Sequence, residues 1–333
     1  MIGRPAAASF SLRVGASLVG AMVLFALVGP LVAPHDAYTS DFVNGASPLR
    51  TPVGPSPDFW LGADRVYRDE FTRLAVGGRF ALGIGLAATA LATGVGGAVG
   101  IVAGWFEGTT GVRVSWVLLA GLAVGAAMGL ADHPNVALAA VLLGVLSWGV
   151  AELGGIEALR AGPSVNLDVA LMRAVDVGLA LPFLLLVMAI GAALERVTPL
   201  TVVLVLGLTG WLGTARVVRA KTMQVRRLDF VLAARAMGRT TPEILWKHVL
   251  PNVSGLLLVV ATVSVAQMIL AESALGYLGL GIAPPRPTWG RMLFEGQDYL
   301  LAGPWMVAAP ALAIVFAALG FHLLGEGLRD ALD

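Results

Sequence analysis

The chain has no cysteine, and charged residues make up only 13% of its 333 residues. The first absence excludes disulfides, thiolate metal sites and a cysteine nucleophile. The second is about half the share of roughly 25% found in soluble domains and points to a membrane protein. Net charge is +1, so nothing suggests a nucleic-acid partner. There is no GxxxxGKS/T and no GxGxxG placed after a strand, so no nucleotide-binding motif is present. The apolar runs hold no HExxH, no Ser with Lys and no paired acids, which an intramembrane enzyme would need. An inverted internal repeat with coupling carboxylates, the mark of an ion-driven secondary transporter, is also missing. Those two classes stand as the alternatives to the reading developed below.

What is abundant is apolar. Hydrophobic residues reach 57%, with 42 Gly, and mean hydropathy is +0.84. Small residues let membrane helices approach closely. Val14 to Ala33 is long enough to span a bilayer. It exceeds a signal-peptide core and ends in Leu31-Val32-Ala33-Pro34 without a small-x-small cleavage site, so residues 1–33 read as a transmembrane helix. Arg4 and Arg13 place its N-terminus in the cytoplasm. Residues 34–79 are polar and Pro-rich and read as an external loop. Their end, LGADRVYRDEFTRLAVGGR, reads as an amphipathic, salt-bridged helix lying on the interface.

Phe80 to Gly104 is the second span, with Gly96, Gly100 and Gly104 forming a packing face. Val114–Ala131 and Asn135–Gly154, joined by Asp132-His133-Pro134, make a helical hairpin whose flanking Arg113 and Arg160 place both ends inside. Leu171–Leu194 follows, with Pro182 within it. Arg173 and Asp176 enter it three residues apart on one face, a structural or gating pair. Pro199–Ala215, Ser254–Leu280 and Trp305–Leu324 complete eight spans, with both termini cytoplasmic. Glu272 is an ionisable residue inside an apolar run, which by default marks function, here at the external end. Pro284–Pro304 is an external loop in which Trp289 is a contact for an external protein or an anchor at the headgroups.

Residues 216–251 carry eight Lys/Arg (Arg216, Arg219, Lys221, Arg226, Arg227, Arg235, Arg239, Lys247) against Asp229 and Glu243. A basic block between spans lies on the cytoplasmic side. Its pattern is helix, break, helix. Phe230 to Met237 is rich in Ala, Leu and Met, and Gly238 follows as a C′ residue. Thr241-Pro242-Glu243 restarts a helix, with Thr241 as N-cap and Pro242 at the first position, or with Thr240 and Glu243 as a capping box. Pro251 closes the unit. His248 has no second ligand four residues away, so no metal site is expected.

Ala233-Ala234-x3-Gly238 followed by His248-x-Leu250-Pro251 resembles the EAA loop of bacterial ABC-importer permeases. More narrowly, the chain is similar to the second permease of dipeptide, oligopeptide and nickel importers. LGADRVYRDEFTR (61–73) matches that family's G-T-D-x-x-G-R-D-x-x-S-R element at Gly62, Asp64, Arg68, Asp69 and Arg73. LMRAVDVGLALPFLLL (171–186) and AESALGYLGLGIAPPRPTWGRMLFEGQDYL (271–300) carry further likeness. Leu232 stands where the loop's leading Glu is usual, and residues 113–160 have no counterpart.

The resemblance implies an all-α, polytopic bundle of the type I ABC-importer permease kind: six core spans within 80–325 and the N-terminal helix, plus the inserted 113–160 hairpin. It implies half of a translocation pathway for peptides, or secondarily nickel, in the inner membrane. Implied partners are a homologous permease, two ATPase subunits that carry ATP and Mg, and an external solute-binding protein; this chain itself binds no cofactor. Coupling to the ATPase falls to Ala233, Ala234, Gly238, Pro242, Ile244, Leu245, Trp246, His248, Leu250 and Pro251. Apolar Met237, Ile244, Leu245 and Trp246 beside basic Arg235, Arg239 and Lys247 suit docking in a groove.

Overall fold

The computed structural model describes residues 10–48, 51–108, 112–113, 124, 142, 164–193 and 197–332. In chain order the elements are α1 (Phe10–Val32), α2 (Glu70–Trp105), β1 (Val112–Arg113), β2 (Ser164–Val165), α3 (Leu167–Ala180), α4 (Phe183–Ala193) and α5 (Pro199–Val225). Then come α6 (Asp229–Ala236), α7 (Thr241–Ile244), a π-helical turn (Leu245–Val249), α8 (Leu250–Tyr277), α9 (Trp289–Gly296) and α10 (Trp305–Leu332). Apart from two two-residue strands, the described elements are helices, and the fold class is all-α.

Five helical segments among the described residues are long and apolar enough to cross a membrane: α1, α2, α5, the continuous Thr241–Tyr277 rod and α10. The pair α3 and α4 makes a sixth if counted as one span, bent by 82°. The span expected over Leu171–Leu194, with Pro182 within it, is therefore sharply bent rather than straight. The break falls at Leu181-Pro182, because proline has no N–H to donate and its ring clashes with the carbonyl four residues back. A correction concerns α5, which runs past Ala215 to Val225, so Arg216, Arg219 and Lys221 lie on helix rather than loop. Its start is fixed by a capping box. The Thr201 N–H donates to Thr198 Oγ1 at 3.1 Å, the Thr198 N–H donates to Thr201 Oγ1 at 3.3 Å, and Pro199 follows the cap.

The chain divides into two compact units, Met1–Ile101 with Val177–Asp333, and Val102–Asp176. In the second, β1 and β2 pair antiparallel, Val112 opposite Val165 and Arg113 opposite Ser164. The chain leaving at Arg113 therefore returns beside itself. The hairpin expected at 113–160 lies outside the described residues, apart from 113, 124 and 142.

In the first unit, α10 packs along both α1 and α8. One apolar cluster joins Ala26, Leu74, Ala81, Ile269, Trp289 and Phe321; another joins Ile84 and Ala88 to Leu206, Met268 and Leu275. Helices α2 and α5 touch backbone to backbone. A Cβ on Gly96 would sit 2.6 Å from the Trp211 carbonyl oxygen, and one on Gly100 2.6 Å from that of Ala215. These two glycines are thus a packing seam.

Helix α1 carries Pro30 in its interior, which leaves the Ala26 carbonyl without its usual donor four residues on. Arg79 of α2 supplies the bond. Its Nε donates to the Ala26 carbonyl at 2.7 Å and its Nη2 to that of Leu27 at 3.0 Å. The helix α2 begins only at Glu70, so the amphipathic interface helix expected over 61–79 is also corrected. Residues 62–69 form a turn instead. The Asp64 carboxylate accepts from the N–H groups of Val66 and Arg68, each at 2.9 Å, and so competes with helical pairing.

Candidate functional site

The 229–251 segment is a helical hairpin. Helix α6 ends in a Schellman motif: Gly238 has φ +77, the Gly238 N–H donates to the Arg235 carbonyl at 3.0 Å, and the Arg239 N–H donates to that of Ala234 at 3.2 Å. The restart differs from either expected form. Thr240 is the N-cap, but its side chain makes no capping hydrogen bond, and Pro242 occupies the second helical position. Glu243 turns outward instead, taking Lys247 Nζ at 2.9 Å and pairing with Arg239. Water screens both pairs, so they orient the surface more than they stabilise it. The helix then runs through the π turn into α8 without a stop. Pro251 does not close the unit: it lies in the first turn of α8.

Burial sorts the predicted coupling residues. Val231, Ala234, Ile244 and Val249 are buried and clamp the two arms together. Ile244, at 1% exposure, therefore leaves the expected outer face and becomes the hairpin's own core. Leu245, His248 and Leu250 are half-buried, and the His248 ring stands 6.1 Å from that of Phe230. Ala233, Gly238, Pro242 and Pro251 are exposed. The tip presents Met237 at 73% and Trp246 at 72% exposure, with Phe230 and Leu232 also out. Exposed Arg235, Arg239 and Lys247 border them. An apolar tip ringed by cations has the form of a protein-docking surface.

At the other end of α8, Glu272 is 1% exposed. Neither of its carboxylate oxygens, nor Ser273 Oγ, has a hydrogen-bond partner among the described residues. Helix α9 lies against this face so closely that a Cβ on Gly290 would fall 2.0 Å from the Ser273 carbonyl oxygen. Trp289 corrects the expectation of an external contact. It is 1% exposed, and its Nε1 donates to the Leu74 carbonyl at 2.9 Å, so it fills the core beneath α9. Arg173 and Asp176 are both exposed on α3.

Sequence reasoning missed a buried charge cluster. Arg68 reaches Asp64 at 2.7 Å and Glu295 at 3.2 Å; Arg73 reaches Asp64 at 3.2 Å and Glu295 at 2.9 Å. Arg291 closes on Glu295 at 3.0 Å, one turn back along α9. Asp64, Arg68, Glu70, Arg73 and Glu295 are all buried, so this is no solvated surface helix. Next to it, burial pushes the Asp69 carboxyl above its ordinary range, opposed by hydrogen bonds from Thr72 Oγ1 at 2.8 Å and the Phe71 N–H at 3.0 Å. The available signal was the density of both charges in 61–73 of a chain so poor in charge. Their partner Glu295 lies too far along the chain for spacing to reveal it.

Comparison with known proteins places the chain in a family. Residues 153–333 match the family described as "Binding-protein-dependent transport system inner membrane component". An oligopeptide transport system permease protein of Bacillus subtilis is 31% identical over 96% of this chain and 84% of its own length. A di/tripeptide transport system permease protein of Pseudomonas aeruginosa is 33% identical over 94% of this chain and 84% of its own. A solved structure of the MetNI methionine ABC transporter superposes on 72% of this chain and 94% of its own at 18% identity, with a TM-score of 0.36.

Proposed function

This chain belongs to the binding-protein-dependent transport system inner membrane components, and we propose that it forms half of the translocation pathway of an ATP-driven peptide importer. It is a multi-pass membrane protein and a permease subunit, a transporter component rather than an enzyme. In the proposed assembly it pairs with a homologous permease in the inner membrane, with both termini cytoplasmic. Two separate ATPase subunits bind ATP and Mg and hydrolyse the nucleotide; this chain binds no cofactor. An external solute-binding protein delivers the substrate, with peptides ahead of nickel.

The observation that carries the coupling step is the hairpin tip. Ile244 and Ala234 lock its arms while Met237 and Trp246 stand out among cations. A rigid apolar knob of this kind fits a groove on a partner and transmits a push along the continuous rod into α8. Leu232, standing where the loop's leading Glu is usual, is exposed and adds an apolar side chain to the hairpin surface.

Trp246→Ala is the direct test. The side chain contributes little to the fold at its exposure, whereas a docked Trp contributes about 2 kcal/mol or more, roughly thirtyfold in affinity. ATPase association and peptide uptake should both fall while insertion in the membrane persists. Gly238→Val should do the same by straining a left-handed turn. Unchanged uptake in both variants would rule out docking through this hairpin.

A further inference from the structure

A cavity of about 580 Å³ opens beside the break between α3 and α4. Leu181, Phe183 and Leu184 of the break line it with Thr209 of α5 and Gln267 and Met268 of α8. The described residues around it include no charged side chain. Thr209 is already committed, its hydroxyl donating to the Val205 carbonyl at 2.6 Å. Gln267 is different: it is exposed, and its carboxamide makes no hydrogen bond among the described residues.

Two physical arguments keep this wall away from lipid. The missing N–H of Pro182 leaves the carbonyl of Gly178, another lining residue, without its helical donor. Broken backbone at membrane depth is tolerated only against protein or water. Gln267 sits about 15 Å from the Tyr277 end of α8 at 1.5 Å per residue, near the middle of a core of about 30 Å. An unpaired carboxamide there needs a polar counterpart.

We infer that this cavity is a stretch of the substrate path, and that Gln267 reads a peptide-bond amide of the substrate. The inference rests on the peptide-permease reading and deepens it. A carboxamide offers a donor and an acceptor side by side, which match the C=O and N–H that recur along every peptide. The apolar, uncharged remainder admits side chains of any sequence without selecting one. Peptides are recognised here by what they share.

Absence of cysteine makes the test clean. Gln267→Cys and, on the same wall, Leu184→Cys each introduce one thiol into this chain in the assembled importer. Cells are exposed to a charged, membrane-impermeant methanethiosulfonate, and modification of this chain is read by mass. Both thiols should react, and reaction of the Gln267→Cys variant should slow about tenfold when trialanine fills roughly nine-tenths of the sites. Leu24→Cys, on an exposed apolar side of α1 expected to meet lipid, should stay unmodified. Gln267→Leu should raise the trialanine KM about three- to tenfold, with Gln267→Asn recovering part of it.

Thiols at both wall positions that do not react in an importer still transporting trialanine would overturn the inference, because a partner helix or lipid then covers the wall. Reaction without protection by trialanine would overturn the amide contact. In both cases the permease reading survives. Trialanine uptake that persists after this chain is deleted would instead remove the permease reading, and the inference with it.

Discussion

Glu295 offers the sharpest test of how the bundle is held. Three guanidinium groups converge on this one carboxylate, at 2.9 Å from Arg73, 3.0 Å from Arg291 and 3.2 Å from Arg68. Glu295→Gln keeps the volume and removes the charge. Arg68 and Arg73 retain Asp64, but Asp64 then faces two buried cations alone. Breaking a buried pair from one side costs about 3–5 kcal/mol, because a desolvated charge is stranded. The upper part of that range is expected here, since Arg73 is almost wholly enclosed. At about 2–4 °C per kcal/mol for large domains, about 4–5 kcal/mol lowers Tm by roughly 8–20 °C.

The assay is thermal unfolding of the purified chain in detergent, followed by tryptophan fluorescence. Two tryptophans report on the region the cluster braces: Trp289 opens α9, and Trp305 Nε1 donates to the Ala63 carbonyl at 3.1 Å. Replacing both partners by apolar residues, Arg73→Met with Glu295→Met, should cost less than the two single changes together. Buried ion pairs often exchange for apolar packing without loss. A Tm shift below about 2 °C for Glu295→Gln, or strict additivity of the Met variants, would refute the view that this cluster is a mutually dependent unit.

Two further outcomes follow from packing. Arg79→Met should destabilise by about 1–3 kcal/mol, since the Ala26 carbonyl loses its donor; adding Pro30→Ala restores the helical N–H, so the same Arg79 change should then cost clearly less by denaturant titration. Gly290→Ala should force α9 off α8, because its Cβ would sit 2.0 Å from the Ser273 carbonyl oxygen. Limited proteolysis near Trp289 should accelerate, and an unchanged cleavage rate would show that α9 tolerates displacement.

Much of the fold was legible because its determinants are local. Runs of apolar residues and Gly238 at a helix end each act within one or two turns, so their residues suffice to place them. The Gly96 and Gly100 seam was readable for the same reason: small residues at fixed spacing leave one face open for a neighbour. The hairpin at 229–251 came through in outline, yet its faces did not. A short amphipathic segment has two apolar sides in sequence, and only packing chose Ile244 for the inside and Trp246 for the outside.

The rest was decided in three dimensions. Trp289 reads as an interface aromatic until α9 is seen folded under the bundle. The charges of 61–73 read as a wet surface until Glu295 arrives from the far end of the chain to meet them. Arg79 has no visible purpose until it is found donating to the carbonyl that Pro30 left open. In an apolar chain, most buried polar groups find a partner wherever the fold brings one. Periodicity names the helices, but it carries no information about which distant charge will neutralise which, and that pairing belongs to the tertiary structure alone.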